Sequence, residues 1–234
     1  MSKAAWSLAA ALLAPATLSA QVGHDPAHSP YRPIAARTSL SLVAGYLGGS
    51  GGKLGIGPSD GFLAGARYEM RLTGPTDAAL TISRGQFDRL IPNPNAPADS
   101  QTTGPVSQSV IFVDAALQIL LTGDKTWNRL APYLGASLGL GFGSGLPADS
   151  SGFRYATKFI TGPLLGVRLY PGGGLTFRVE GRLTFWRLRY PSGFFANPAR
   201  APTDPPLLNP DVESDTDWTA HPTVLIGLGW AFRL

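Results

Sequence analysis

The chain has 234 residues, of which only 15% are charged, a low share for a water-facing globular surface, and 29 Gly and 21 Pro argue against long helices. It has no Cys, which excludes disulfides and thiolate metal centres, and its net charge of +4 is a weak basis for nucleic-acid binding because many of its Arg fall on alternating positions. The first 20 residues, "MSKAAWSLAAALLAPATLSA", read as a secretory signal peptide: Lys3 precedes an apolar run, Pro15 interrupts it, and Ala20 precedes the expected cut. Residues 21–37 hold three prolines and are expected to be an extended, irregular periplasmic segment. No later run is long and apolar enough for a spanning helix, which needs about 18 residues or more.

From residue 38 a two-residue rhythm begins and recurs in eight segments. The first, 38–47, sets Leu40, Leu42, Ala44 and Tyr46 against Ser39 and Ser41. The second, 61–72, sets Phe62, Tyr68 and Met70 against Arg67, Glu69 and Arg71. The third, 78–87, is short, and the fourth, 108–121, sets Ile111, Leu117 and Ile119 against Asp114 and Gln118. The fifth, 132–143, sets Leu134, Leu138 and Leu140 against Gly135, Ser137 and Gly139. The sixth, 158–170, sets Phe159, Leu165 and Leu169 against Lys158 and Arg168. The seventh is "LTFRVEGRLTF", with Phe177, Val179 and Leu183 opposite Arg178, Glu180 and Arg182. The eighth, 223–234, sets Val224, Ile226, Leu228, Trp230, Phe232 and Leu234 against Gly227, Gly229 and Arg233. The connections alternate between long ("GGSGGKLGIGPSD", a Pro- and Asn-rich stretch up to Ser107, "SGLPADSSGFRYAT", and the tract with Pro191 to Asp217) and short ("TGPTD", "TGDKTWNRLA", "PGGG").

Each segment thus has one apolar and one polar face. A soluble sheet turns the apolar face inward, and a membrane barrel turns it outward to lipid. The apolar faces persist for roughly 10–12 residues, close to the ~9–11 a tilted strand needs to cross a bilayer. An eight-stranded barrel has an interior just wide enough to be filled by side chains. The expected fold is therefore all-β: an eight-stranded antiparallel up-and-down transmembrane β-barrel over 38–234, with long loops on one side. Its lumen is expected to hold a charge network of Arg67, Glu69, Arg71, Asp114, Lys158, Arg168, Arg178, Glu180, Arg182 and Arg233. Tyr46, Trp127, Tyr133, Tyr170, Trp186, Trp218, Trp230 and Phe232 fall near segment ends and are expected to form interfacial girdles. The competing architecture is a soluble, secreted lipocalin-like carrier with its apolar face inside.

The eight segments, "PYLGASLGLGFG" in the fifth and the terminal "GLGWAFRL" give the chain its resemblance to small bacterial outer-membrane β-barrel proteins of the OmpA/OmpX/OmpW type. The resemblance covers 38–234 in pattern. It implies a monomer in the outer membrane of a Gram-negative-type envelope, with a wall like a porin's, in contact with outer-membrane lipids and lipopolysaccharide. It also implies a C-terminal signal for the barrel-assembly machinery at Trp230, Phe232 and Leu234, where Leu234 replaces the usual aromatic.

Motifs for chemistry are weak. Gly135 to Gly139 fits the G-x-S-x-G nucleophile-elbow pattern, but the strand rhythm runs straight through Ser137 where the elbow needs a strand-to-helix turn. His221, near the long-loop end of the last segment, is the residue a barrel-borne, lipid-modifying enzyme would use; the alternative is an interfacial His. His24 and His28 are spaced for a shared metal on a helix that Pro26 forbids. Asp211, Glu213, Asp215 and Asp217 alternate but lack an EF-hand's Gly and terminal Glu, and read as solvated loop carboxylates. "GGSGGKL" has Leu54 where a phosphate-binding loop needs Ser or Thr. The expectation is a non-enzymatic barrel without metal or cofactor, binding no nucleic acid, with a structural, adhesive or small-ligand role carried by the long loops.

Overall fold

The computed structural model describes residues 29–147 and 149–233; the segment read as a signal peptide, the His24/His28 pair and Leu234 lie outside the described residues. Ten antiparallel strands form one sheet: β1 (Tyr31–Pro33), β2 (Thr38–Leu47), β3 (Gly61–Thr73), β4 (Thr76–Pro92), β5 (Thr102–Leu120), β6 (Lys125–Trp127), β7 (Leu130–Gly143), β8 (Thr157–Gly172), β9 (Leu175–Arg189) and β10 (Thr216–Phe232). Eight of them, all but β1 and β6, pair in sequence order and close when β10 meets β2, with Ile226 opposite Ala44 on one side and Val179 on the other. This is an up-and-down barrel, and closure leaves its wall without a free edge.

The two small strands are an addition that the sequence rhythm does not announce. β1 pairs with β6, and β6 joins β7 through Asn128 and Arg129, both in the left-handed region at φ 47° and 68°. Two consecutive positive φ values are what a type I′ hairpin turn requires. The segment expected to be irregular before the barrel therefore contributes a strap across the short-turn end.

Polarity is inverted relative to a soluble barrel. Outward-facing Leu42, Phe62, Ile82, Leu138, Leu165 and Ile226 are all more than half exposed, whereas inward Arg67, Glu69, Glu180 and Gln118 are essentially sealed. Several strands run past the rhythmic segments on the long-loop side: β4 and β5 continue to Pro92 and from Thr102, and β9 and β10 reach Arg189 and start at Thr216.

Candidate functional site

The barrel interior has two layers. The first, in the half nearer the short turns, is ionic. Glu69 on β3 is its hub. It accepts hydrogen bonds from Arg67 Nε at 3.1 Å, Arg168 Nη2 at 3.2 Å, Ser39 Oγ at 3.1 Å and Arg178 Nη2. Arg67 also reaches Glu180 at 3.3 Å, and Arg182 bridges Glu180 and Asp114, the latter at 2.9 Å. Arg168 and Arg71 share Asp77, at 2.6 and 3.2 Å. The pairs are charge-assisted and connect residues from β3, β4, β5, β8 and β9.

Tyr133 ties the aromatic and ionic parts together. Its hydroxyl donates to Glu180 Oε2 at 2.7 Å, and the Arg168 and Arg178 guanidiniums lie 4.9 and 5.9 Å from its ring centre. The ring fits because residue 166 is Gly: a Cβ there would stand 2.5 Å from the Tyr133 hydroxyl oxygen.

The second layer, towards the long loops, is apolar and aromatic. Phe87, Phe112, Trp186 and Leu225 project inward from the strands, and Ile56, Phe153, Tyr155, Phe194 and Leu208 descend on them from the loops. Trp186 is fully buried, with its ring 6.0 Å from Phe112 in a stack, 6.0 Å from Tyr155 edge-on and 3.6 Å from the His221 imidazole, nearly parallel. Between the layers a void of about 30 Å³ touches Val43, Thr81, Phe112, Asp114 and Arg182, the room of about one water.

The loops are pinned to this plug by polar contacts. Arg89 pairs with Asp149, and Ser151 donates to the same carboxylate from both its backbone and its hydroxyl. Burial resists the charge on Asp149, but the hydrogen bonds from Ser151 and Arg89 outweigh it and hold its carboxyl below the usual range. Tyr190, just past β9, receives the Lys53 amide at 3.0 Å and donates to Asp217 at 3.1 Å. Burial raises its phenol to about 12; the Lys53 amide opposes that shift and the Asp217 carboxylate adds to it.

The expected charge network divides as follows. Arg67, Glu69, Arg71, Asp114, Arg168, Arg178, Glu180 and Arg182 are brought together. Lys158 is not among them: it lies at the loop end of β8 with its ammonium 6.0 Å above the Tyr155 ring. Arg233 is exposed beyond the end of β10, outside the lumen. Asp77, Gln118 and Tyr133 belong to the network and were not expected there. Gln118 accepts from Arg168 and donates to Glu180 at 3.5 Å.

The expected girdle needs correction too. Tyr46, Trp127, Trp218 and Trp230 are exposed on the outside, and Tyr170 and Phe232 are half-buried at the short-turn end. Tyr133 and Trp186 face inward and are sealed. His221 is likewise buried inside the barrel against Trp186, away from the outer surface where an interfacial His or a lipid-directed catalytic His was placed. Ser137 lies mid-strand in β7 with its hydroxyl on the Gly162 carbonyl, so no elbow forms around it. The loop carboxylates are dispersed: Glu213 pairs with Lys53, Asp215 with Arg189, and Asp217 with Tyr190. Among the described residues no group of three or more His, Asp or Glu is placed to hold a metal ion.

Several solved barrels are similar to the chain. Neisserial surface protein A is 15% identical over 83% of this chain and 97% of its own, with a TM-score of 0.49. A major outer membrane protein from Thermus thermophilus is 14% identical over 85% and 100%, with a TM-score of 0.44. The N-terminal β-barrel domain of Pseudomonas aeruginosa OprF is 15% identical over 83% and 99%, with a TM-score of 0.40. No family model matches the chain, and no curated protein does.

Proposed function

We propose that the protein is an integral outer-membrane barrel with a lumen closed to bulk solutes, and that its role is structural, adhesive or ligand-binding through the long loops. The observation that carries this reading is the inverted polarity. Leu42, Leu165 and Ile226 are presented outward at 59–74% exposure while Arg67 and Glu180 are sealed inside. In water such a wall is an apolar patch far larger than a soluble monomer tolerates; in a bilayer it is the required surface. A soluble carrier needs an apolar interior for its cargo, and the ionic layer occupies that space.

Closure follows from the stacked layers. A permeating ion would have to displace paired guanidiniums and carboxylates in one layer and separate the Trp186–His221 stack in the other. The long loops lie on the opposite end from the short turns and face outward in this reading. The test is fractionation followed by planar-bilayer recording. The protein should sediment with outer membranes, need detergent for release, shift its gel migration on heating and give little or no stable conductance. Recovery as a detergent-free periplasmic protein, or large porin-like steps, would overturn the reading.

A further inference from the structure

A groove of about 440 Å³ lies at the short-turn end, between the β1 strap and the barrel rim. Arg32 on the strap, Arg129 in the β6–β7 turn and Arg233 beyond β10 all line it, and all three are exposed. Arg37 and Lys125 add charge on the same two segments, where Asp124 is the acid among the described residues. Arg129 is steadied by a hydrogen bond from Nη1 to the Pro171 carbonyl at 3.1 Å. The groove's other side is apolar. Leu175, which lines it, pairs with Trp230, and Trp230 pairs with Leu40, so three apolar residues lie abreast on the outer wall. The Trp230 indole lies across Gly174, another lining residue; a Cβ at 174 would stand 2.8 Å from the ring.

Guanidiniums thus gather where the apolar wall ends. We propose that this groove seats one anionic phospholipid, its phosphate between Arg129 and Arg233 and its acyl chains along Leu175, Phe232 and Trp230. The planar guanidinium fork matches phosphate oxygens, and an indole beside it suits the headgroup boundary. A soluble anion would leave the apolar wall unused. A zwitterionic lipid would bring a second cation towards these guanidiniums. The inference rests on the reading of the chain as a membrane barrel.

The test is native mass spectrometry of the folded protein released from vesicles holding equal phosphatidylglycerol and phosphatidylcholine with matched acyl chains. One phosphatidylglycerol should be retained in preference. Arg129→Gln and Arg233→Gln should each lower that preference by about fivefold, the scale for one basic residue at an anionic surface. Equal retention of the two lipids by the wild-type protein overturns the proposal without any variant. Unchanged preference in variants that keep the heat-modifiable gel shift overturns it as well. Displacement of the lipid by millimolar inorganic phosphate would assign the groove to a soluble anion and overturn it. Loss of the gel shift in the wild-type protein would instead refute the barrel reading beneath it.

Discussion

Glu69→Gln tests whether the lumen is a packed ionic core or a water-filled one. Glu69 receives three guanidiniums, and Arg178 has its ion pair with Glu69. The substitution keeps the side-chain shape and one acceptor oxygen but removes the charge. Arg178 is then left in a sealed interior with its carboxylate gone. Breaking a buried pair from one side costs about 3–5 kcal/mol, because the surviving charge stays buried without compensation. In a hydrated channel the same pair would be screened and worth about 0–1 kcal/mol. The assay is reversible urea unfolding of the barrel in lipid vesicles, followed by Trp fluorescence and by the gel shift. The expected loss is about 3–5 kcal/mol, with part of it restored in Glu69→Gln/Arg178→Gln, since the second change removes the stranded cation. A loss below about 1 kcal/mol, or a double variant no better than the single one, would refute the packed ionic lumen.

Three further outcomes follow from other parts of the barrel. Trp186→Ala should cost about 3–5 kcal/mol, from the void it leaves against Phe112, Tyr155 and His221, yet conductance should stay absent because the ionic layer beneath is intact; a new stable conductance in bilayer recordings would show that the plug alone closes the lumen. Ile226→Arg, on a face 59% exposed, should cost about 2–4 kcal/mol for vesicle-inserted protein in the same urea assay, and a negligible effect would mean that this face is not in lipid. Asp149 has a folded pKa below its unfolded one, so it stabilises its loop fully above the ordinary carboxylate range and loses that contribution as pH falls through the folded value. A spin label at Ser150 should therefore gain mobility on acidification, and Asp149→Asn should show the mobile spectrum already at neutral pH; a label equally immobile in both proteins would refute the anchoring role.

Strand rhythm made much of this molecule legible, and its failures have one physical pattern. Side-chain direction in a strand is set by parity alone. Tyr133 shares parity with Gly135, and Trp186 with Thr184, so both were bound to face inward. Their nearness to segment ends suggested a girdle, and position along the strand is the weaker signal. His221 shares parity with Thr223 and was misplaced outside for the same reason. Asp77 was missed because it follows Gly74 and Pro75 in what reads as a turn, although β4 already starts at Thr76. Lys158 has inward parity but stands level with the aromatic layer, and alternation carries no information about depth. The loop half of the plug had no signal at all: Ile56, Phe153, Phe194 and Leu208 come from Gly- and Pro-rich stretches with no period.

The two layers also explain why the wall can be so thin in side chains. Gly65, Gly139 and Gly162 face inward where the neighbouring strand's backbone comes within about 2 Å of where a Cβ would sit. Small residues there leave the cross-section to guanidiniums long enough to span it. Arg67 on β3 reaches Glu180 on β9, and Arg168 on β8 reaches Glu69 and Asp77 on β3 and β4. The network therefore ties together strands that are not neighbours in the wall, a task that short side chains could not perform. Hydrogen bonds of the sheet hold each strand to the next, and the arginines hold opposite walls to one another. On this account the interior charges are cross-braces of a closed cylinder.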